Sequence, residues 1–268
     1  MFWGTFENSG YRFETAGNHF ADVNGDGYAD IVTSRKVKQV ASFSDPTENQ
    51  KKVFINRMKD NTNGWLEEPS FTRPDNDYTD FTKGAALVDL NGDGLPDIYY
   101  RHAGETKVFM NTGTGWQEDV ASTWITTATA GDTFDRTTQF SDINGDGLTD
   151  MIIAKGSSAN GSKILINTGD GWIEDTAWVF PEGDFTNLGT RVLDADADTL
   201  LDFMVNYNNE TPKLYVNQGR PADLLKETKN GLGGKATLEY GSSGEFTQTF
   251  MPFALPVIKQ VTTTRTGV

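Results

Sequence analysis

"DVNGDGYAD", residues 22–30, sets three aspartates, one asparagine and two glycines in nine positions. The string returns as "DLNGDGLPD" at 89–97 and "DINGDGLTD" at 142–150, and more loosely as "DADADTLLD" at 194–202. The first aspartates stand at 22, 89, 142 and 194, so the intervals are 67, 53 and 52 residues. A period near fifty marks a repeat architecture, in which each unit is one supersecondary element that buries its apolar face against its neighbours.

Each unit has the same parts in the same order. An apolar lead-in ("HFAD", "ALVD", "QFSD", "RVLD") enters the acidic loop, and a β-rich run leaves it ("DIVTS", "DIYYR", "DMIIA", "DFMVN"). A strand led by lysine and ended by asparagine follows: "KVFIN", "KVFMN", "KILIN" and "KLYVN". In the first three units a turn and a tryptophan come next, at Trp65, Trp116 and Trp172. β-Branched and aromatic residues bounded by Gly, Asn and Asp read as short strands and hairpins, and no stretch sustains a helical period. Four short strands in about fifty residues make one β-propeller blade. The fold class is therefore all-β, with four recognisable blades over residues 1–218 and a β junction over 219–268. The recurring tryptophans, and the mid-strand aromatics Phe54, Phe109 and Tyr215, are expected to pack between blades rather than to stack on a ligand.

The chain of 268 residues is 36% hydrophobic with 28 glycines, an ordinary globular balance. Thirty-eight acidic residues against 23 basic ones give a formal charge of -15, which disfavours nucleic acid and anionic membranes as partners. The excess is local, since 13 of the 25 aspartates fall in the four loops. With no cysteine there is neither a disulfide framework nor thiolate chemistry. "MFWGTFENSGYRF" shows no signal peptide, and "FMPFALPVI" (250–258) is too short to span a bilayer and holds Pro252 and Pro256.

Carboxylates about 5 Å apart repel by roughly 3 kcal/mol at an effective dielectric near 20. So many in one loop need a counter-charge, and calcium suits a flexible ring of oxygen donors. The first loop offers the side chains of Asp22, Asn24, Asp26 and Asp30 with the carbonyl of Tyr28. The second offers Asp89, Asn91, Asp93 and Asp97 with the carbonyl of Leu95, and the third Asp142, Asn144, Asp146 and Asp150 with that of Leu148. The fourth offers Asp194, Asp196, Asp198 and Asp202 with Leu200, but Thr199 stands where the turn glycine belongs, so a weaker site is expected. Without His or Cys in the set, zinc and copper are disfavoured. An EF-hand needs a glutamate at position twelve, where these loops have Thr33, Tyr100 and Ile153, and strands follow where a helix should be. A metal-free Asn-Gly hairpin turn accounts for the "NG" but not for carboxylates at positions one, five and nine.

This arrangement resembles the FG-GAP/VCBS repeats of integrin-like β-propellers, in which such loops bind calcium between the strands of a blade. Beyond Asn217, "NGLGGKATLEY" and "PFALPVIKQVTTT" hold two expected strands, and "GLGG" lacks the lysine and helix of a phosphate cradle. That order resembles the junction where the propeller of Tc-toxin B components, and of related plasmid-virulence-B-type and Rhs proteins, enters a β-shell. The resemblance implies a secreted or extracellular protein-interaction propeller that docks on a channel-forming toxin subunit. It also implies that this chain is part of a longer polypeptide, with an open arc of blades. An adhesive or carbohydrate-binding propeller is the alternative. His19 and His102 lie in different units and outside any nucleophile motif, so no catalytic role is expected.

Overall fold

The computed structural model describes residues 11–12, 18–33, 38–39, 52–58, 64–71, 74, 84–102, 104–121, 123–125, 138–154, 161–178, 191–205, 211–221, 224–247 and 254–265. Two compact units emerge: Met1–Asp135 with Gly169–Trp172, and Arg136–Thr168 with Ile173–Val268.

In the first unit the chain opens with β1 (Tyr11–Arg12), β2 (Asn18–Ala21), β3 (Asp30–Thr33), β4 (Lys38–Gln39), β5 (Val53–Asn56) and β6 (Trp65–Glu67), four of which build the first sheet. Its order is β2-β3-β5-β6, while β1 and β4 pair separately. The second sheet runs β7 (Ala85–Val88), β8 (Asp97–His102), β9 (Glu105–Asn111) and β10 (Trp116–Glu118) in chain order. The third comprises β11 (Thr138–Ser141), β12 (Asp150–Ile153), β13 (Lys163–Asn167) and β14 (Trp172–Asp175), and the fourth has three strands, β15 (Arg191–Leu193), β16 (Asp202–Val205) and β17 (Lys213–Tyr215). A tail sheet of β18 (Glu227–Lys229), β19 (Gly234–Ser242) and β20 (Pro256–Arg265) covers the two strands expected after Asn217, with a register shift at Glu239/Tyr240.

The strand after each acidic loop lies inside its sheet and is buried on both faces, as in β3, β8 and β12. That is why these strands read as near-continuous apolar runs rather than as alternations. The outermost strand β10 buries only its tryptophan. In the first unit Val23, Val32, Val53 and Ile55 of the first sheet and its loop pack on Ile98, Phe109 and Trp116 of the second, with Phe71 from the connection. The second unit repeats the pattern, with Ile143, Ile152 and Ile164 packed on Phe203 and Val205.

Trp116 and Trp172 are buried, so packing between sheets is their role in the first unit. Trp116 meets Phe71 edge-on at 5.0 Å, and Trp172 meets Trp124 at 5.1 Å. Tyr215 departs from the expectation. It is 37% exposed while Phe109, its counterpart, is 4% exposed. Among the described residues no helix is long and apolar enough to cross a membrane.

Candidate metal centres

Each acidic loop is folded by its own carboxylates. In the first, Asp22 accepts the backbone N–H groups of Gly25 (2.8 Å), Asp26 (3.1 Å) and Gly27 (2.6 Å). Asn24 Oδ1 accepts from Asp26 N (3.0 Å), and Asp26 Oδ1 from Tyr28 N (3.0 Å). The chain thereby wraps tightly around its first carboxylate, and three further loops repeat the bonds: Gly94 N to Asp89, Gly147 N to Asp142 and Thr199 N to Asp194. The seventh residue donates to the fifth carboxylate throughout, from Leu95, Leu148 and Leu200.

This wrapping needs left-handed backbone at positions four and six. Gly92 (φ 75) and Gly94 (φ 86) supply it freely in the second loop. The fourth loop adopts the same conformation with Ala197 (φ 62) and Thr199 (φ 82), the two non-glycine residues at positive φ among the described residues. For L-residues this costs roughly 1–2 kcal/mol each. The strain expected at Thr199 is therefore present, and Ala197 adds to it.

The third position also differs. Asn24, Asn91 and Asn144 donate through Nδ2 to the fifth carboxylate at 3.3, 3.0 and 2.9 Å. Asp196 carries no amide group at that position. Ligand oxygens of Asp194, Asp196 and Asp202 instead converge within 4.8 Å of one another, the one such acidic cluster found among the described residues. The donor sets are oxygen only in all four loops, and they fit a hard divalent cation rather than zinc or copper.

The ninth aspartates do more than line a loop. Asp30, Asp97, Asp150 and Asp202 are fully buried at the start of β3, β8, β12 and β16. Each accepts one N–H from its own loop and one from the strand beside it. Asp97 takes Leu90 N (3.0 Å) and Asn111 N (2.7 Å), and Asp150 takes Ile143 N (2.9 Å) and Asn167 N (2.8 Å). Burial, reinforced by the neighbouring loop carboxylates and offset in part by these N–H groups, pushes Asp97 and Asp150 up to about 6. Asp30 and Asp198 are raised for the same first cause.

The asparagines that end β5, β9 and β13, and Asn217 just beyond β17, are functional residues that the sequence displayed without explaining. Asn56, Asn111 and Asn167 donate Nδ2 to the eighth-position carbonyls of Ala29, Pro96 and Thr149. Asn111 also donates to Val23 O (3.0 Å), and Asn217 to Ile143 O (3.1 Å), in the loop of the preceding sheet. Within each unit the acidic loop of one sheet is thus gripped by the next sheet. The signal was their recurrence at one strand end.

Residues 142–205, from the start of one acidic loop to the strand after the next, match the FG-GAP-like repeat family. The chain carries an FG-GAP-like repeat. Among solved structures, the FG-GAP-like fold here is similar to TcdB2-TccC3, at 20% identity and a TM-score of 0.50, over 67% of this chain and 9% of that one. The Photorhabdus luminescens Tc holotoxin pore matches at 17% identity and a TM-score of 0.42, over 94% of this chain and 14% of that one. An Agrocybe aegerita lectin that recognises non-reducing terminal N-acetylglucosamine matches at 18% identity and 0.45, over 75% and 52% of the two chains. The chain thus spans a small part of the length of the toxin chains it matches. No curated protein matches it. The histidines lie apart, His19 exposed in β2 and His102 at the end of β8.

Proposed function

We propose that this chain is a non-catalytic, calcium-stabilised protein-interaction module of a secreted polypeptide of the toxin-complex type. The observation that carries the calcium reading is the repeated oxygen-rich loop held by its own backbone N–H groups, whose fourth copy brings three carboxylates within 4.8 Å of one another. Asp22, Asn24, Asp26 and Asp30 would hold the ion in the first loop, with their counterparts in the second and third. Asp194, Asp196, Asp198 and Asp202 would hold it more weakly in the fourth, where backbone strain opposes the wrapped form. A bound calcium ion supplies positive charge that offsets carboxylate repulsion; it performs no chemistry on a substrate. Because Asn111 and Asn217 grip the loops of the preceding sheets, a rigid loop also stiffens the contact between adjacent sheets within each unit.

The toxin-complex reading is supported by the fold shared with TcdB2-TccC3 and by the junction-like sequence of the tail. A channel-forming toxin subunit is the partner class it names. Calorimetric titration tests the metal sites: the intact chain should take up three calcium ions and a weaker fourth, and Asp93→Ala should remove one. Co-elution with a channel-forming Tc-toxin subunit tests the partner, and failure to co-elute at micromolar concentrations would count against that class.

A further inference from the structure

Among the described residues the fourth sheet has three strands, and the first two sheets show what a fourth strand does. Their outer strands read Trp65-Leu66-Glu67 and Trp116-Gln117-Glu118. In each, the tryptophan pairs with the asparagine ending the neighbouring strand, Asn56 or Asn111, and the glutamate with its aromatic residue, Phe54 or Phe109. The indole Nε1 donates to the eighth-position carbonyl, Ala29 O at 3.2 Å and Pro96 O at 2.8 Å. The glutamate meets the lysine ahead of that aromatic residue, in Lys52–Glu67 (2.6 Å) and Lys107–Glu118 (2.5 Å). The third sheet carries Trp172-Ile173-Glu174 at the same place.

Every receiving feature recurs in the fourth sheet. Lys213 leads β17, Tyr215 stands at the aromatic position, Asn217 follows, and Leu201 holds the eighth position. Among the described residues no strand pairs the outer edge of β17, its three residues are exposed, and no described carboxylate pairs with Lys213. The turn after Asn217 begins as the one after Asn111 does, with Gly219 N donating to Asn217 Oδ1 (2.9 Å) and Gly113 N to Asn111 Oδ1 (2.8 Å). Arg220 and Pro221 then divert the chain, because proline cannot donate to a ladder. Pro221 comes to rest at Gly145 instead, where a Cβ would meet its Cα at 3.4 Å.

Beside β17 lies a concavity of about 520 Å³ walled by Ile143, Trp178, Leu200, Phe203, Tyr215 and Arg220. Trp178 follows Trp172 at the interval by which Phe71 follows Trp65. In the first unit Phe71 is capped edge-on by Trp116 at 5.0 Å; Trp178 faces the concavity.

We propose that the fourth sheet is completed by an extended segment of a partner polypeptide bearing Trp-x-Glu. It adds antiparallel to β17, puts its indole into the concavity with Nε1–H toward Leu201 O, and brings its glutamate to Lys213. Backbone hydrogen bonds along the open edge supply affinity and the two side chains supply selectivity. A second copy of this chain is a poor donor, since its three Trp-x-Glu strands already serve its own sheets. The inference names the partner chemistry of the interaction module proposed above and is independent of calcium, so either can fail alone.

The probe is a fluorescein-labelled peptide, TGTGWQEDVA, which is the chain's own segment 112–121, titrated against the intact protein by anisotropy. Saturable binding is expected, with slowed hydrogen exchange at the β17 amides. Replacing the peptide's tryptophan by alanine should weaken it by about tenfold or more. A Glu→Lys peptide should bind poorly to the native chain and recover on Lys213→Glu, whose exposed position leaves the melting curve unchanged. No binding, or equal binding of the alanine peptide, overturns the proposal. Self-association through β17 that the peptide fails to dissolve overturns it too, by naming a second copy as the occupant.

Discussion

The second and fourth acidic loops share one backbone outline and differ in what holds it. The second uses Gly92 and Gly94 at the left-handed positions and lets Asn91 shield Asp93 with a 3.0 Å hydrogen bond. The fourth forces Ala197 and Thr199 into that conformation and replaces the shielding amide with the carboxylate of Asp196. Both nevertheless keep the first aspartate on the N–H of the sixth residue, at 2.8 Å for Gly94 and 3.1 Å for Thr199. Both also keep the ninth aspartate between loop and strand. The loop conformation is therefore set by the carboxylates at one and nine, and glycine only lowers its cost. The tail adds support in the fourth loop, where the Ser242 hydroxyl donates to the Ala197 carbonyl. Gly244 approaches so closely that a Cβ there would lie 2.8 Å from that of Ala197.

The largest effect should separate the frame from the metal. Asp97→Ala leaves two buried N–H groups without an acceptor, and should cost roughly 2–5 kcal/mol in urea unfolding whether or not calcium is present. Asp93→Ala should be close to neutral in chelator and lose only its own site's calcium increment. Equal losses for the two variants in chelator would erase the distinction between positions five and nine.

Acidity gives the next effect. The folded values of Asp97 and Asp150 lie near 6, above the ordinary 3.8, so the folded chain holds these protons more tightly than the unfolded one. Without calcium, stability should rise as pH falls from above 6 toward 4, by on the order of 2 kcal/mol for each group. Calcium favours the ionised form, and should flatten or reverse that slope in melts at pH 5 and 7.5. An unchanged slope would argue that Asp97 and Asp150 stay remote from the ion.

Backbone strain gives the smallest effect. Thr199→Gly should stabilise by about 1 kcal/mol and bring the fourth loop's calcium affinity toward that of the others, whereas Gly94→Thr should cost roughly 1–2 kcal/mol. Identical unfolding midpoints for Thr199→Gly and the native chain would mean the strain is relieved elsewhere.

Much of this was legible in the sequence, because a repeat shows each residue's role several times. The four loops, the strands leaving them and the three-to-one difference at Thr199 all follow from spacing and residue type. The second job of the ninth aspartates was hidden, since a carboxylate reads as a metal ligand until burial and two N–H partners place it in a sheet. Asn111 and Asn217 were visible as strand ends, but their bonds to Val23 and Ile143 join positions 88 and 74 residues apart. No local pattern encodes such a contact. That a tryptophan follows the strand-ending asparagine in only the first three units could be read directly, yet the concavity beside β17 forms only where Trp178 and Phe203 come together with Tyr215.

Thermal unfolding of the intact chain in calcium and in chelator tests the central claim most directly. For extracellular modules Kd runs on the order of 0.1–1 mM, so calcium at about ten times Kd contributes about 1.4 kcal/mol per site. Three such sites should raise the Tm by roughly 10 °C. Coincident melting curves in calcium and in chelator would contradict the account.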